Sequence, residues 1–201
     1  MSFITTFFDL LLPPRATDRL VRGLTLSELE RLANQESGML PYHDPRITAL
    51  IWELKYQAHA RALMLAGEFL SNQLLAIAGE ELGKPLLIPV PMHKARHRAR
   101  GHNQTELLCK ASLAHASEFV EYRPDVLVRT KDTVPQQGLE RAKRLMNVKG
   151  SMEVSKPDAV IGRICVVVDD VTTTGATLEE ARRALVAAGA ARVHLVALAQ
   201  S

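Results

Sequence analysis

The run Val166-Val167-Val168-Asp169-Asp170-Val171-Thr172-Thr173-Thr174-Gly175-Ala176-Thr177 constrains the fold more than any other part of the chain. A short, β-branched apolar run reads as a strand buried on both faces. It leads into two carboxylates, a hydroxyl-rich turn with one glycine, and then residues of helical periodicity. Glycine lets the backbone approach an anion closely, and a helix start supplies N–H groups and positive dipole. Asp169 and Asp170, at the carboxyl end of the strand, are placed to accept hydrogen bonds from two neighbouring sugar hydroxyls while the threonine turn takes a phosphate. The pattern therefore predicts a cradle for a phosphorylated sugar on the edge of a parallel sheet.

Two other strand-to-loop designs are excluded by what surrounds the motif. A receiver domain carries its acidic pair on an early strand and its phosphate-accepting aspartate on a later one, and too little chain follows Asp170 for that. A P-loop requires a lysine after its last glycine, where Ala176 stands. With 201 residues and 47% hydrophobic content, the chain suits one domain with at most a small appendage. The formal net charge of +3 fits phosphate ligands and nucleic acid equally well. Cys109 and Cys165 are the only cysteines, too few for a disulfide framework or a thiolate zinc site. The apolar stretch Phe3 to Leu12 is short, contains Asp9 and follows no basic residue, so it reads as neither signal peptide nor membrane span and points to the cytoplasm.

Helical periods alternate with short apolar runs. Leu63, Ala66, Leu70, Leu74 and Ile77 share one helical face, and Leu86 to Val90 reads as a buried strand stopped by Pro91. A helix is expected over about 102–116, a short strand at Val126 to Val128, a helix striped by Leu178, Ala181, Leu185 and Ala188 with Gly189 at its end, and a last strand over Val193 to Leu198. This order predicts an α/β fold, a mostly parallel twisted sheet flanked by helices. Nearer the start, Thr25-Leu26-Ser27-Glu28 has the form of a capping box that opens a short helix, ended by Gly38 and Pro41. A DNA-reading helix-turn-helix there finds no room for its second helix before Pro41.

A second chemical feature follows the 86–90 strand. Lys94, Arg96, Arg98 and Arg100 place four cations in seven residues, on a segment expected to be a loop at the same sheet edge as the acidic pair. Guanidinium groups there suit a two-pronged grip on pyrophosphate. His93, His97 and His102 do not read as a metal cluster, because Arg96 and Arg98 flank His97 and no carboxylate lies nearby in sequence.

The 166–177 stretch resembles the 5-phosphoribosyl 1-pyrophosphate (PRPP) motif of type I phosphoribosyltransferases. Pro89-Val90-Pro91, the basic segment and Arg100-Gly101-His102-Asn103-Gln104 narrow the resemblance to the ComF/GntX-like branch, with His102 in place of the usual aromatic. Leu54-Lys55-Tyr56 matches the end of that family's upstream helix, and Pro135-Gln136, Leu139, Arg144, Asn147 and Gly150 match its mobile segment. The resemblance covers roughly 42–199. One departure is plain: Ala16 and Arg19 stand where the family's zinc-ribbon cysteines belong. Residues 1–41 are therefore expected as a helical appendage without zinc ligands, and 42–201 as the phosphoribosyltransferase-type domain.

The resemblance implies that Asp169 and Asp170 hold the ribose diol, and that Val171, Thr172, Thr173, Thr174, Gly175, Ala176 and Thr177 hold the 5′-phosphate. Lys55, Arg96, Arg98, Arg100, Asn103 and Gln104 are the expected pyrophosphate-binding set. Mg²⁺ is expected to enter on PRPP rather than on a protein-only metal site, and no zinc is expected. The segment 130–150, with Lys131, Gln136, Arg141 and Arg144, is expected to close as a lid. No base-reading loop or general base is evident, so an unknown small-molecule acceptor would be read by the segment before the PRPP strand, by the appendage, or by a second subunit of a homodimer. The alternative reading is a non-catalytic PRPP sensor or DNA-uptake accessory protein that binds single-stranded DNA or competence machinery, with no membrane role. Asp170→Asn is expected to weaken PRPP binding with little loss of fold.

Overall fold

The computed structural model describes residues 14–131 and 148–201. Five parallel strands form the central sheet: β1 (Leu40–Pro41), β2 (Leu86–Pro89), β3 (Glu121–Tyr122), β6 (Ile164–Thr172) and β7 (Arg192–Gln200), in the order β1-β7-β6-β2-β3. β4 (Leu127–Arg129) and β5 (Met152–Val154) make a separate antiparallel pair. The strand expected near 126–128 thus exists but lies outside the main sheet. β6 is central because Val166, Val167 and Val168 are fully buried on both faces.

Alternation along the strands divides the core in two. Leu87, Val166, Val168, Val196 and Leu198 pack with residues of α3 (Pro45–Tyr56), α4 (Ala60–Glu80) and α6 (Gln104–Ala116). Leu86, Ile88, Cys165, Val167 and Ala197 pack with α7 (Ala176–Ala187) and with Leu127 and Met152 of the small sheet. Burying this apolar area is the main source of stability, at about 25 cal/mol per Å². The apolar stripe of α4 lies in the first of these layers, where Gly67 lets the helix approach Ala111 of α6 so closely that an added Cβ would stand 2.6 Å from the Ala111 side chain.

Among the described residues, the amino-terminal stretch opens with two helices. α1 (Pro14–Gly23) precedes the capping-box helix α2 (Leu26–Leu32), and the Thr25 hydroxyl and Glu28 carboxylate close the box as the spacing predicts. α2 ends at Leu32, earlier than Gly38, because the Asn34 side chain accepts from the Glu36 and Ser37 N–H groups and turns the chain. Val21, Leu24 and Leu29 share the core of α3 and α4, and β1 joins the sheet edge. The segment 94–100, expected as a loop, is a two-turn helix, α5 (Lys94–Arg100). His93 Nδ1 accepts from the Ala95 N–H at its start, and Gly101, at φ 84°, ends it.

Candidate functional site

Register brings the two chemical segments together. Pro89 stands opposite Val168, and the Val90 N–H donates to the Val168 carbonyl at 2.8 Å. The chain therefore leaves β2 at the level where β6 reaches Asp169. The cleft above this edge has a volume of about 420 Å³. Lys55, Arg96, Arg100, Asn103, Gln104, Arg129 and the acidic pair line it.

The strand's alternation continues through the acids and separates their environments. Asp170 follows Val168 onto the α3 and α6 face, where its Oδ2 accepts from Lys55 Nζ at 3.3 Å and Gln104 Nε2 at 3.1 Å, while Oδ1 accepts from the Val171 N–H at 2.7 Å. Burial opposes ionisation of Asp170, but the Lys55 charge and these hydrogen bonds outweigh it and hold its pKa below the usual carboxylate range. Burial likewise works against the Lys55 charge, which Asp170, Tyr42 and Asp169 outweigh, so the ammonium is held more tightly than usual. Asp169 turns to the other face. Its burial, with the Asp170 charge beside it, pushes its pKa up to about 8, opposed by the Asp170 N–H and by Arg129. Burial and neighbouring charge thus push two adjacent carboxylates in opposite directions.

The threonine turn carries one helix start. Gly175 takes φ 75°, which a side-chain-bearing residue adopts only at a cost, and it leads into α7 with no side-chain cap. Thr173, Thr177 and Val171 line the cleft. Thr172, Thr174 and Gly175 line a second hollow, about 500 Å³, between α7 and the outer edge of β7. Ala176 is buried, and its N–H reaches Thr174 Oγ1 at 3.4 Å.

The cations separate by helix geometry. Arg96 and Arg100, four residues apart on α5, both reach the cleft. Arg98 falls on the exposed side with Lys94 and does not line the cleft. The expectation that all three arginines of the segment share one site assumed a loop, and the helical period is what removes Arg98. Asn103, also expected on pyrophosphate, caps α6. Its Oδ1 accepts from the Thr105 N–H at 3.1 Å, and its Nδ2 donates to the Val90 carbonyl and Glu106 Oε1.

Arg129, Tyr42, Tyr56 and His93 line the cleft without having been expected there. Arg129 ends β4, and its charge acts on Asp169 in the cleft. The Arg100 guanidinium lies over the Tyr56 ring, 5.3 Å from its centroid. The base of the expected lid is held by the Thr130 N–H on the Ser151 carbonyl at 2.9 Å and by Glu180, which accepts from the Met152 N–H. Gln136, Arg141 and Arg144 of that lid, with Pro135, Leu139 and Asn147, lie outside the described residues.

A parallel sheet flanked by helices, with its central strand ending in an acidic pair, is the arrangement of a phosphoribosyltransferase-type fold. Residues 114–201 match the phosphoribosyl transferase domain family. The chain is 31% identical over 162 residues to the DNA utilization protein YhgH of Salmonella typhi, covering 79% of this chain and 69% of that protein. It is 34% identical over 117 residues to Competence protein F of Haemophilus influenzae, covering 57% of this chain and 50% of that one. The chain belongs to the ComF-like branch of the type I phosphoribosyltransferase family. Among solved structures, the allosteric regulatory enzyme of purine biosynthesis aligns with 74% of this chain and 30% of its own, at 18% identity and a TM-score of 0.43.

Proposed function

We propose that the cleft binds PRPP with Mg²⁺ and transfers the phosphoribosyl group to a nitrogenous small molecule, releasing pyrophosphate. The observation that carries this reading is the meeting, on one sheet edge, of the buried Asp169–Asp170 pair with the cations Lys55, Arg96 and Arg100. The ribose hydroxyls would sit on the acids, the 5′-phosphate on the 172–177 turn, and the pyrophosphate on the arginines of α5. In the transfer, the C1–O bond breaks with its electron pair leaving on pyrophosphate, and a C1–N bond forms to the acceptor. Arg96 and Arg100 would stabilise the departing charge.

The donor set suits magnesium held mainly by ligand and water oxygens. Asp169 is the carboxylate not engaged by Lys55, and no cluster of three metal-ligating side chains occurs among the described residues. When bound, such an ion supplies further charge neutralisation on the pyrophosphate.

The test is calorimetry with PRPP and Mg²⁺, followed by pyrophosphate release across a panel of bases and amines. Micromolar binding with release in the presence of one acceptor class is the expected result, and absence of PRPP binding would sink the reading.

A second reading is favoured by the names of the relatives, DNA utilization and competence proteins. In it the chain is a PRPP sensor or an accessory of DNA uptake. PRPP binding without turnover would favour the sensor. Salt-dependent binding of single-stranded DNA that Arg98→Ala weakens would favour the accessory, because Arg98 and Lys94 lie on the exposed side of α5.

A further inference from the structure

The contacts around Gln104 close into a circuit. Its Nε2 donates to Asp170 Oδ2 at 3.1 Å, and its Oε1 accepts from Arg100 Nη1 at 2.7 Å. Arg100 stacks over Tyr56, which follows Lys55 in the last turn of α3. The Lys55 ammonium then returns to the same Asp170 oxygen at 3.3 Å. A carboxamide is a rigid planar group with its acceptor on one side and its donors on the other. Arg100 requires the oxygen, and that requirement turns Nε2 toward Asp170. A guanidinium at one end and a carboxylate at the other polarise the amide in the same sense, so each bond strengthens the other.

Arg100 belongs to the cationic arm of the cleft and Asp170 to its acidic pair. We propose that Gln104 is a positioning residue that couples the two: an anion held by the cationic arm sets Asp170 for the sugar hydroxyls, and a sugar on the acids sets Arg100 in return. The coupling rests on the reading of the cleft as a PRPP site, and adds that the two halves of that ligand are not bound independently. Reciprocity follows from thermodynamic linkage. The family resemblance implies a pyrophosphate role alone for Gln104, whereas in the fold both ends of its amide are taken by protein groups of opposite charge.

The probes are inorganic pyrophosphate for the cationic arm and ribose 5-phosphate for the acids and turn. Each is titrated calorimetrically into the full chain with Mg²⁺, alone and with the other probe saturating, and the ratio of the two affinities is the coupling factor. In Gln104→Leu this factor is expected to differ from wild type by about fivefold or more. Gln104→Glu keeps an acceptor for Arg100 but sets a carboxylate against Asp170. It is expected to weaken ribose 5-phosphate by about tenfold through like-charge repulsion, a larger loss than for pyrophosphate. A merely structural role would move both probes together. An unchanged coupling factor in Gln104→Leu, or parallel losses in Gln104→Glu, overturns the coupling while leaving the PRPP site intact. A wild type that binds neither probe removes the site reading and the coupling with it.

Discussion

The helices α6 and α7 both begin on the sheet edge that carries the cleft, and their first turns are finished differently. At α6, Asn103 caps the helix and also ties it to the end of β2 through the Val90 carbonyl. At α7, Gly175 offers no side chain, and the Ala176 N–H has only a long contact with Thr174 Oγ1. One start is closed by its own sequence and works as a clamp between strand and helix. The other is left without a side-chain cap on its first N–H groups. A helix start on the ligand edge is therefore not in itself a phosphate site, and the capping residue decides which kind it is.

Four substitutions break or sharpen this contrast. The largest effect is expected from Asp170→Asn, on the acidic side of the open start. The Lys55–Asp170 pair is buried, so removing one charge strands the other, at a cost of about 3 kcal/mol in chemical denaturation. Ribose 5-phosphate affinity should fall with it. The pair replaces the expectation, drawn from sequence, that this change would spare the fold.

Asp169→Asn should act in the opposite direction. Because its folded pKa lies above the unfolded value, the folded chain holds more protons than the unfolded one between the ordinary carboxylate range and about 8, and stability falls as pH rises through that window. The Asn variant removes this slope. It should exceed wild type in stability near pH 8 and match it at the acid end of the window; parallel stability curves for the two proteins would refute the assignment.

Gly175→Ala tests the open start directly. No atom lies within 4 Å of the added Cβ, so the cost is conformational, about 1–2 kcal/mol for the left-handed backbone. Phosphate-containing probes should bind more weakly in this variant. The smallest effect is expected at the closed start, where Asn103→Ala loses the cap for about 1 kcal/mol, read as a lower melting temperature. If Asn103→Ala weakened ribose 5-phosphate more than Gly175→Ala does, the contrast between the two starts would be wrong.

Much of the fold was legible because its signals are local. The apolar runs at 86–89 and 164–168, the stripe of α4, and the Thr25–Glu28 box each lie within one element, where period and capping chemistry act over a few residues. The basic segment was misread as a loop because seven residues with no apolar stripe carry no helical pattern, and the His93 side chain that starts the helix is an uncommon cap. Arg98 was placed in the site for that reason. Arg129 was invisible because nothing around it in sequence ties it to the acids 40 or more residues later.

The sequence by itself determined that a parallel strand would end in an acidic pair, a hydroxyl turn and a glycine-started helix, since these are consecutive residues obeying short-range rules. Only the tertiary structure decided what each acid meets. The two-residue period of β6 sends Asp169 and Asp170 to opposite faces, and sheet register then sets Lys55 and Gln104 against one and Arg129 toward the other. Charge state, and with it the division of roles within the pair, depends on neighbours far apart in the chain, because burial and Coulomb interaction act through space rather than along the sequence.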